Sequence, residues 1–258
     1  MNINEIKARI TGCIGREIFF YDTVDSTNTI ASEIAPKTAE GAVVLADSQG
    51  RGRGRLGREW VSPPGVNLYM SIVLRPDIRP RDATLITIMS SVACATALRR
   101  MTGLDVAIKW PNDLTVKKKK LCGILTELKT EQNKIVFAVL GIGINVNADI
   151  DRFPDEVKFV ATSLKNETGI LYSRAAIAAE VLNEIDIWYK TLKKMDRDTL
   201  LSAWRQFSSM LGKEVSAVTS QGIFRGLARD IDSEGLLIME LPTGEAMRIS
   251  SGDVTLVQ

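Results

Sequence analysis

A strand-like apolar run, Ala42 to Ala46, opens into Gln49-Gly50-Arg51-Gly52-Arg53-Gly54-Arg55-Leu56-Gly57-Arg58-Glu59-Trp60, and Val61-Ser62-Pro63-Pro64-Gly65 follows. The two prolines forbid a helix there. This removes the folds in which a glycine-rich turn feeds a helix that holds phosphate. Gly52 to Gly57 matches G-x-G-x-x-G in letters, but the dinucleotide-binding unit needs that helix. No G-K-[ST] follows, so a P-loop is excluded as well. Glycine lets backbone approach a ligand closely, and arginine offers a planar fork for carboxylate or phosphate oxygens. Together they describe a mobile loop that closes over an anionic ligand, with Trp60 as a flat surface for a base or ring. A solvated basic turn and an RNA-binding Arg/Gly segment are the competing readings, although the latter is normally repeated and disordered.

The elements around the loop predict an α+β layout. Strands are expected at Glu17 to Tyr21, Ala42 to Ala46 and Asn67 to Leu74. Asp25-Ser26-Thr27-Asn28 is a helix N-cap signal, and that helix should stop near Pro36. Leu85, Ile88, Met89, Val92 and Ala93 recur at helical spacing within Asp82 to Met101, and Gly103 supplies a stop. Three further strand-like pieces, Val106 to Trp110, Gly123 to Lys129 and Lys134 to Ile142, are separated by charged turns and predict an antiparallel meander. Helices are expected over Ser173 to Met195 and Asp198 to Met210. After Leu211-Gly212 short alternating segments take over, divided by Ser220-Gln221-Gly222, Asp232-Ser233-Glu234-Gly235 and Pro242-Thr243-Gly244. That pattern predicts a small β-barrel of roughly five strands. The expected units are therefore 1–211 and 212–258.

The residue inventory narrows the chemistry. There is no histidine, which removes Ser-His-Asp and Cys-His catalysis and the usual zinc sites. Cys13, Cys94 and Cys122 show no C-x-x-C spacing, so a disulfide framework is not expected and a reducing cytosol fits. A net charge of +2 carries no strong field toward nucleic acid or membrane. The start lacks the apolar run of a signal peptide, and no stretch has the length of a membrane span. Lysine, arginine, carboxylates, amides or an oxygen-held metal must do the work.

Lys109-Trp110-Pro111-Asn112-Asp113 interrupts a strand, because proline cannot donate to the ladder. Asn112 and Asp113 then offer oxygen ligands and amide donors of the kind a magnesium–phosphate site uses; an ordinary turn is the alternative. Lys117 to Lys120 reads as a hairpin turn, mostly solvated. Lys120 is the exception, since Leu121-Cys122-Gly123-Ile124-Leu125 continues into a buried strand and Gly123 leaves its backbone uncovered for a ligand. Asn145, in Gly141 to Asn147, is either a turn residue or a polar contact.

Taken in order, Asp25 to Asn28, Gly52 to Trp60, Lys109 to Asp113, Lys120 to Glu127 and Gly141 to Asn147 resemble the catalytic domain of biotin protein ligases. The resemblance runs from about residue 19 to the end, and it implies a core like that of class II aminoacyl-tRNA synthetases with an SH3-like C-terminal domain. It implies ATP-dependent activation of biotin to biotinyl-AMP, with Mg2+, and transfer to a lysine of a biotin carboxyl carrier domain. It further implies that Ser26, Thr27, Asn28 and Gln49 line the ureido end of a biotin pocket and that Arg53, Gly54 and Arg55 order over biotin. Lys120 would reach the carboxylate and the attacked phosphate. Arg58, Trp60, Lys109, Asn112 and Asn145 would serve ATP, the asparagines partly through Mg2+ and with no dedicated protein metal site. Lys120, Lys109 and Arg55 are the expected catalytic residues. A cytoplasmic enzyme is expected, and the resemblance implies a homodimer; nucleic acid is not expected as a partner, because the net charge is low and the few residues before the first strand leave no room for a winged helix. Gly50-Arg51 departs from the family, where Thr-Ala or Gln-Ala is usual. The alternatives are a lipoate or octanoate ligase or transferase, and a nucleic-acid-binding regulator.

Overall fold

The structure is a computed structural model that describes residues 1–257. Seven strands form the larger sheet: β1 (Ile18–Val24), β2 (Val43–Gln49), β3 (Leu68–Leu74), β4 (Ala107–Lys109), β5 (Asp113–Val116), β6 (Lys119–Glu131) and β7 (Lys134–Ile144). Their order is β1-β2-β3-β7-β6-β5-β4. Only β1 and β2 run parallel; the other neighbours are antiparallel. Five further strands, β8 (Glu214–Thr219), β9 (Gly222–Ile231), β10 (Leu237–Glu240), β11 (Ala246–Ile249) and β12 (Asp253–Leu256), make a second, antiparallel sheet ordered β11-β10-β9-β8-β12. The helices are α1 (Ile3–Arg9), α2 (Thr27–Ile34), α3 (Thr84–Thr102), α4 (Asp155–Lys158), α5 (Leu164–Thr168), α6 (Arg174–Lys193) and α7 (Arg197–Phe207). No helix among the described residues is long and apolar enough to cross a membrane.

Side chains alternate across a strand, so each strand divides its residues between two faces. Leu68, Met70, Ile72 and Leu74 of β3, Leu140, Ile142 and Ile144 of β7 and Cys122 and Ile124 of β6 join the main core with residues of α3, α6 and α7. Burying about a dozen such side chains at ~1.5–3 kcal/mol each is the main force holding this layer together. Cys94 and Cys122 lie in that core, and burial, first, and the neighbouring Cys94 push the Cys122 thiol well above its usual range. The opposite face is covered at one end, where Ala31 of α2 and Ala35 just after it meet Val44, Val73 and Val139. Over the rest of that face Tyr69, Ser71, Gly123, Leu125, Glu127, Gly141 and Gly143 take the alternate positions, and the site lies there.

Several local expectations are corrected. The sequence reading has no strand between Asp113 and Val116; the structure makes one, and Lys109 pairs with Asp113 across a turn of Trp110, Pro111 and Asn112. The motif is thus a hairpin turn between β4 and β5 rather than a break in one strand. Helix α7 ends at Phe207, not Met210, because Ser208 bridges to Ile108 and Ser209 donates to the Ile108 carbonyl. Pairing with the sheet satisfies those backbone groups better than another helical turn. Strand β2 runs on to Gln49, so Gln49 is held by the ladder with Val24 of β1 as its partner. Helix α1 has no counterpart in the sequence reading; Asn2 caps it by accepting from the N–H groups of Asn4 and Glu5.

Candidate active site

Two connected cavities lie on the open face of the large sheet. One, of about 130 Å³, is lined by Ser26, Thr27, Asn28, Gln49, Trp60, Lys120, Gly123, Gly141 and Gly143 among others. The other, of about 420 Å³, is lined by Arg58, Trp60, Lys109, Lys118, Lys120, Asn145, Phe153, Val157 and Asp253 among others. Arg58, Trp60, Asp113, Lys120 and Asp253 border both.

The smaller cavity ends in neutral polar groups. Ser26 is the N-cap residue of α2 as expected, but its hydroxyl makes no capping hydrogen bond. Gln49 does that work instead: its Oε1 accepts from the Thr27 N–H at 2.9 Å, and its Nε2 donates to Ser62 at 2.9 Å. Thr27 Oγ1 lies 2.8 Å from Ser71 Oγ, and Asn28 Oδ1 lies 2.6 Å from it. Asn28 also donates to Glu127 at 2.7 Å. Ser26, Thr27 and Asn28 are all nearly buried. Asn28 is therefore engaged by protein at both ends of its amide, whereas the Ser26 hydroxyl is not used by the helix.

The floor between the two ends is glycine. Gly123 and Gly143 face each other across β6 and β7. A Cβ on Gly143 would stand 2.6 Å from the Trp60 indole, and one on Gly123 2.8 Å from it. The ring thus lies directly on backbone, which no other residue type permits. Its Nε1 is buried without a hydrogen-bond partner among the described residues. Lys120 Nζ sits 5.4 Å from the ring centroid, within cation–π range.

Charge collects at the far end. Lys120 Nζ lies 2.7 Å from Asp113 Oδ1, yet that oxygen receives no aligned hydrogen bond. The pair is close in distance and incomplete in geometry. The Lys120 backbone is fixed by Val160 and Thr162, its N–H donating to the first at 2.7 Å and its carbonyl accepting from the second at 2.9 Å. Asp253 comes from β12 of the small sheet and accepts from Arg58 at 2.7 Å. Burial alone would raise the Asp253 carboxyl. The Arg58 hydrogen bond and charge, with Lys109 and Lys120 beyond, outweigh it and hold the group below the usual carboxylate range.

The glycine–arginine stretch forms a small hairpin over both cavities rather than an open loop. Arg53 bridges to Glu59, Gly54 donates to the Arg58 carbonyl, and Trp60 donates to that of Gly52. Leu56 (φ 55°) and Gly57 (φ 74°) turn the tip. Three of the arginines find protein partners: Arg53 on Glu127 at 2.8 Å, Arg55 on Asn112 at 3.1 Å, and Arg58 on Asp253. Burial, first, lowers the Arg55 guanidinium pKa and Arg58 adds to that, while the charges of Asp113 and Asp253 oppose it. Arg51 is exposed and lines a third cavity, of about 790 Å³, which shares Arg53, Arg55, Arg58 and Asn112 with the smaller one.

The structure brings together Ser26, Thr27, Asn28, Gln49, Arg53, Gly54, Arg55, Arg58, Trp60, Asn112 and Lys120 around the smaller cavity, and Lys109 and Asn145 around the larger one. Asn145 is held differently from the expectation. It is buried, accepts from Asn67 at 3.2 Å and donates to the Thr162 carbonyl at 3.0 Å. Both ends of its amide are engaged, so it fits a magnesium ion poorly. Asn112 donates to Ile124 and shares Oδ1 with Arg55. Among the described residues no group of three or more carboxylates or thiols could cage a metal. The donor set therefore suits a magnesium that stays largely on phosphate oxygens and water, with Asn112 or Asp113 at its edge. Sequence reading missed Ser71, Glu127 and Asp253. Glu127 stands inside the quoted Lys120 to Glu127 motif, and strand alternation from Gly123 would have placed it on the same face; for Asp253 no local signal exists.

Comparison with known proteins fits this geometry. The description of the biotin/lipoate A/B protein ligase family matches residues 20–145, and that of the biotin protein ligase C-terminal domain matches 210–257. The bifunctional ligase/repressor BirA of Bacillus subtilis is 36% identical over 247 residues, 95% of this chain and 76% of that one. The biotin–[acetyl-CoA-carboxylase] ligase of Paracoccus denitrificans is 32% identical over 223 residues, 85% of this chain and 92% of that one. The biotin protein ligase from Aquifex aeolicus in complex with biotin and ATP superposes with a TM-score of 0.81 at 28% identity, covering 94% of this chain and 99% of that one. With its mixed seven-stranded sheet, its small C-terminal sheet and this site between them, the chain belongs to the biotin protein ligase family.

Proposed function

We propose that this chain is a biotin–[biotin carboxyl carrier protein] ligase, which activates biotin with ATP and passes it to a carrier lysine. The observation that carries the reading is the continuity of a neutral polar pocket with a cationic one across a glycine floor. A ureido ring has two N–H donors and a carbonyl acceptor. Ser26, Thr27 and Gln49 offer matching hydroxyl and amide groups in a nearly dry place. The carboxylate at the other end of such a ligand would reach Lys120, and a nucleotide would fill the larger cavity beside Lys109, Arg58 and Trp60.

In the first step a carboxylate oxygen attacks the α-phosphorus and the bond to pyrophosphate breaks. Two anions must meet in line, so positioning and charge neutralisation dominate. We assign Lys120 to both reacting groups, Lys109 and Arg58 to the phosphates, and Arg55 with Arg53 and Gly54 to holding the adenylate. Magnesium, bound with ATP, would neutralise phosphate charge. In the second step the carrier amine attacks the acyl carbon, AMP leaves, and the amine gives up a proton. We divide the chain into a catalytic unit, 1–211, and a C-terminal unit, 212–258, that adds Asp253 to the site. A cytoplasmic homodimer without nucleic acid completes the reading.

Pyrophosphate exchange with Mg-ATP tests it. Exchange is expected with biotin and not with lipoate or octanoate, whose ends leave the pocket's polar groups unpaired; discrimination of about 10⁴ is within reach. A biotin carboxyl carrier domain should then be labelled on one lysine. Comparable exchange with lipoate would overturn the biotin assignment.

A further inference from the structure

A single hydrogen-bonded chain encircles the neutral end of the site and begins and ends in the arginine hairpin. Arg53 Nη2 donates to Glu127 Oε2 at 2.8 Å, and Asn28 Nδ2 donates to the same oxygen at 2.7 Å. The Ser71 hydroxyl lies between Asn28 Oδ1 and Thr27 Oγ1 and gives its one proton to one of them. Thr27 meets Gln49, Gln49 donates to Ser62, and Ser62 donates to the Trp60 carbonyl at 2.8 Å. Arg53 and Glu127 are its charged members, and among the described residues Glu127 is the side chain that joins Arg53 to the neutral groups.

From this we infer that Glu127 is a positioning residue: it latches the Arg53 end of the arginine hairpin, beside the separate anchors of Arg55 on Asn112 and Arg58 on Asp253, and at the same time aims the Asn28 amide, so that one carboxylate couples that end of the hairpin to the shape of the neutral pocket. The inference deepens the ligase reading and rests on it for its catalytic consequence, but not for the latch itself. Glu127 is on β6, on the face away from the main core, opposite Val139. Its carboxylate is half-exposed, with its side chain 36% accessible and that of Arg53 42%. It is therefore placed to hold a movable segment rather than to support the core. Arg53 stands at the base of the hairpin, where it bridges to Glu59. A carboxylate accepting two donors on one oxygen is a stronger latch than a neutral amide would be.

The test uses the unliganded full chain and the hairpin's own arginines. Trypsin cuts after arginine, and Arg51, Arg55 and Arg58 remain as sites when Arg53 is replaced. Nicking of a segment that opens and recloses quickly tracks its open population. Glu127→Ala should speed nicking between Arg51 and Arg58 roughly fivefold, the shift expected when a half-exposed charge pair is lost. Arg53→Ala should do the same, and the double variant should be no faster than either single one, because both break the same link. Glu127→Gln keeps an acceptor without the charge and should fall between; it also serves if Glu127→Ala does not fold. A Glu127 variant nicked at the wild-type rate, or a double variant whose effects multiply, overturns the latch. In pyrophosphate exchange Glu127→Gln should raise the KM for biotin severalfold and change the KM for ATP and the saturated rate less, because Arg58 keeps its own anchor on Asp253. Equal losses in all three would mark a merely structural residue. A wild-type protein that fails to exchange with biotin overturns the ligase reading, while the nicking result still decides the latch.

Discussion

The two ends of the site solve opposite problems. At the neutral end Ser26, Thr27, Asn28 and Gln49 are held by a helix N-terminus, a strand end and Ser71; the first three are nearly buried and Gln49 is partly so. At the charged end Arg58, Lys109 and Lys120 meet Asp113 and Asp253, and several of these side chains remain partly in solvent. A neutral pocket discriminates because a ligand that leaves its groups unpaired incurs their full desolvation cost. A charged pocket discriminates less, but it can bring two anions together, which the reaction needs. On the proposed reading the difference teaches that recognition and chemistry would be separated along one glycine floor, with Trp60 bordering both cavities.

The largest expected effect breaks the charged end. Lys120→Ala should reduce pyrophosphate exchange by about 10³-fold, since it removes a preorganised cation from the reacting groups. Lys118→Ala should stay within about twofold, although Lys118 borders the larger cavity, because an exposed lysine is screened by water. Similar losses in both would dissolve the distinction between a placed cation and a diffuse basic patch.

Thr27→Val strikes the neutral end alone. It is nearly isosteric but removes the hydroxyl that meets Ser71 and Gln49 in the pocket, while Ser71 keeps Asn28 as a partner. A ureido group that would have met this hydroxyl is left unpaired when bound, and the cost of about 1–3 kcal/mol predicts a KM for biotin raised about ten- to a hundredfold, with the KM for ATP unchanged. Gly143→Ala sharpens the comparison from the middle. Its Cβ would press the Trp60 ring off the floor, so both KM values should rise, by roughly tenfold each, as expected for an overpacked site costing ~1–3 kcal/mol. A change confined to one substrate would show that Trp60 does not divide the two cavities.

Asp253→Asn should have the smallest effect and a defined pH signature. The folded-state pKa is lowered, so the carboxylate contributes stability above the ordinary value of about 3.9. That contribution is lost as pH falls through the lowered folded value. After allowance for solvent it amounts to a few tenths of a kcal/mol. The difference in urea midpoint between wild type and variant should be flat from about pH 7 to pH 5 and vanish at strongly acid pH. A difference that persists in acid would mean that the packing of Asp253, and not its charge, ties the small sheet to the site.

Much of the site was legible because its residues cluster in short motifs. Gly123 and Lys120 share one strand, and the arginines one segment, so local spacing places them together. Strand β5 was not legible, because Pro111 hides a hairpin turn that only pairing with β4 and β6 reveals. The capping role of Gln49 was hidden too. Ser26 carries the ordinary N-cap signature, yet a side chain 22 residues further along reaches the Thr27 N–H.

The resemblance of ordered motifs to a known family pointed to many of the residues that line the cavities, whereas the exclusion of histidine chemistry, the mixed layout and the switch to short strands after Gly212 came from the order of residues alone. Periodicity and residue type are local properties, and those features depend on nothing else. Folding decided which carboxylates balance the arginines. Asp253 lies 195 positions from Arg58 and Glu127 lies 74 from Arg53. An ion pair depends on distance in space, and those distances exist only once the small sheet has docked and strand β6 has taken its register beside β7.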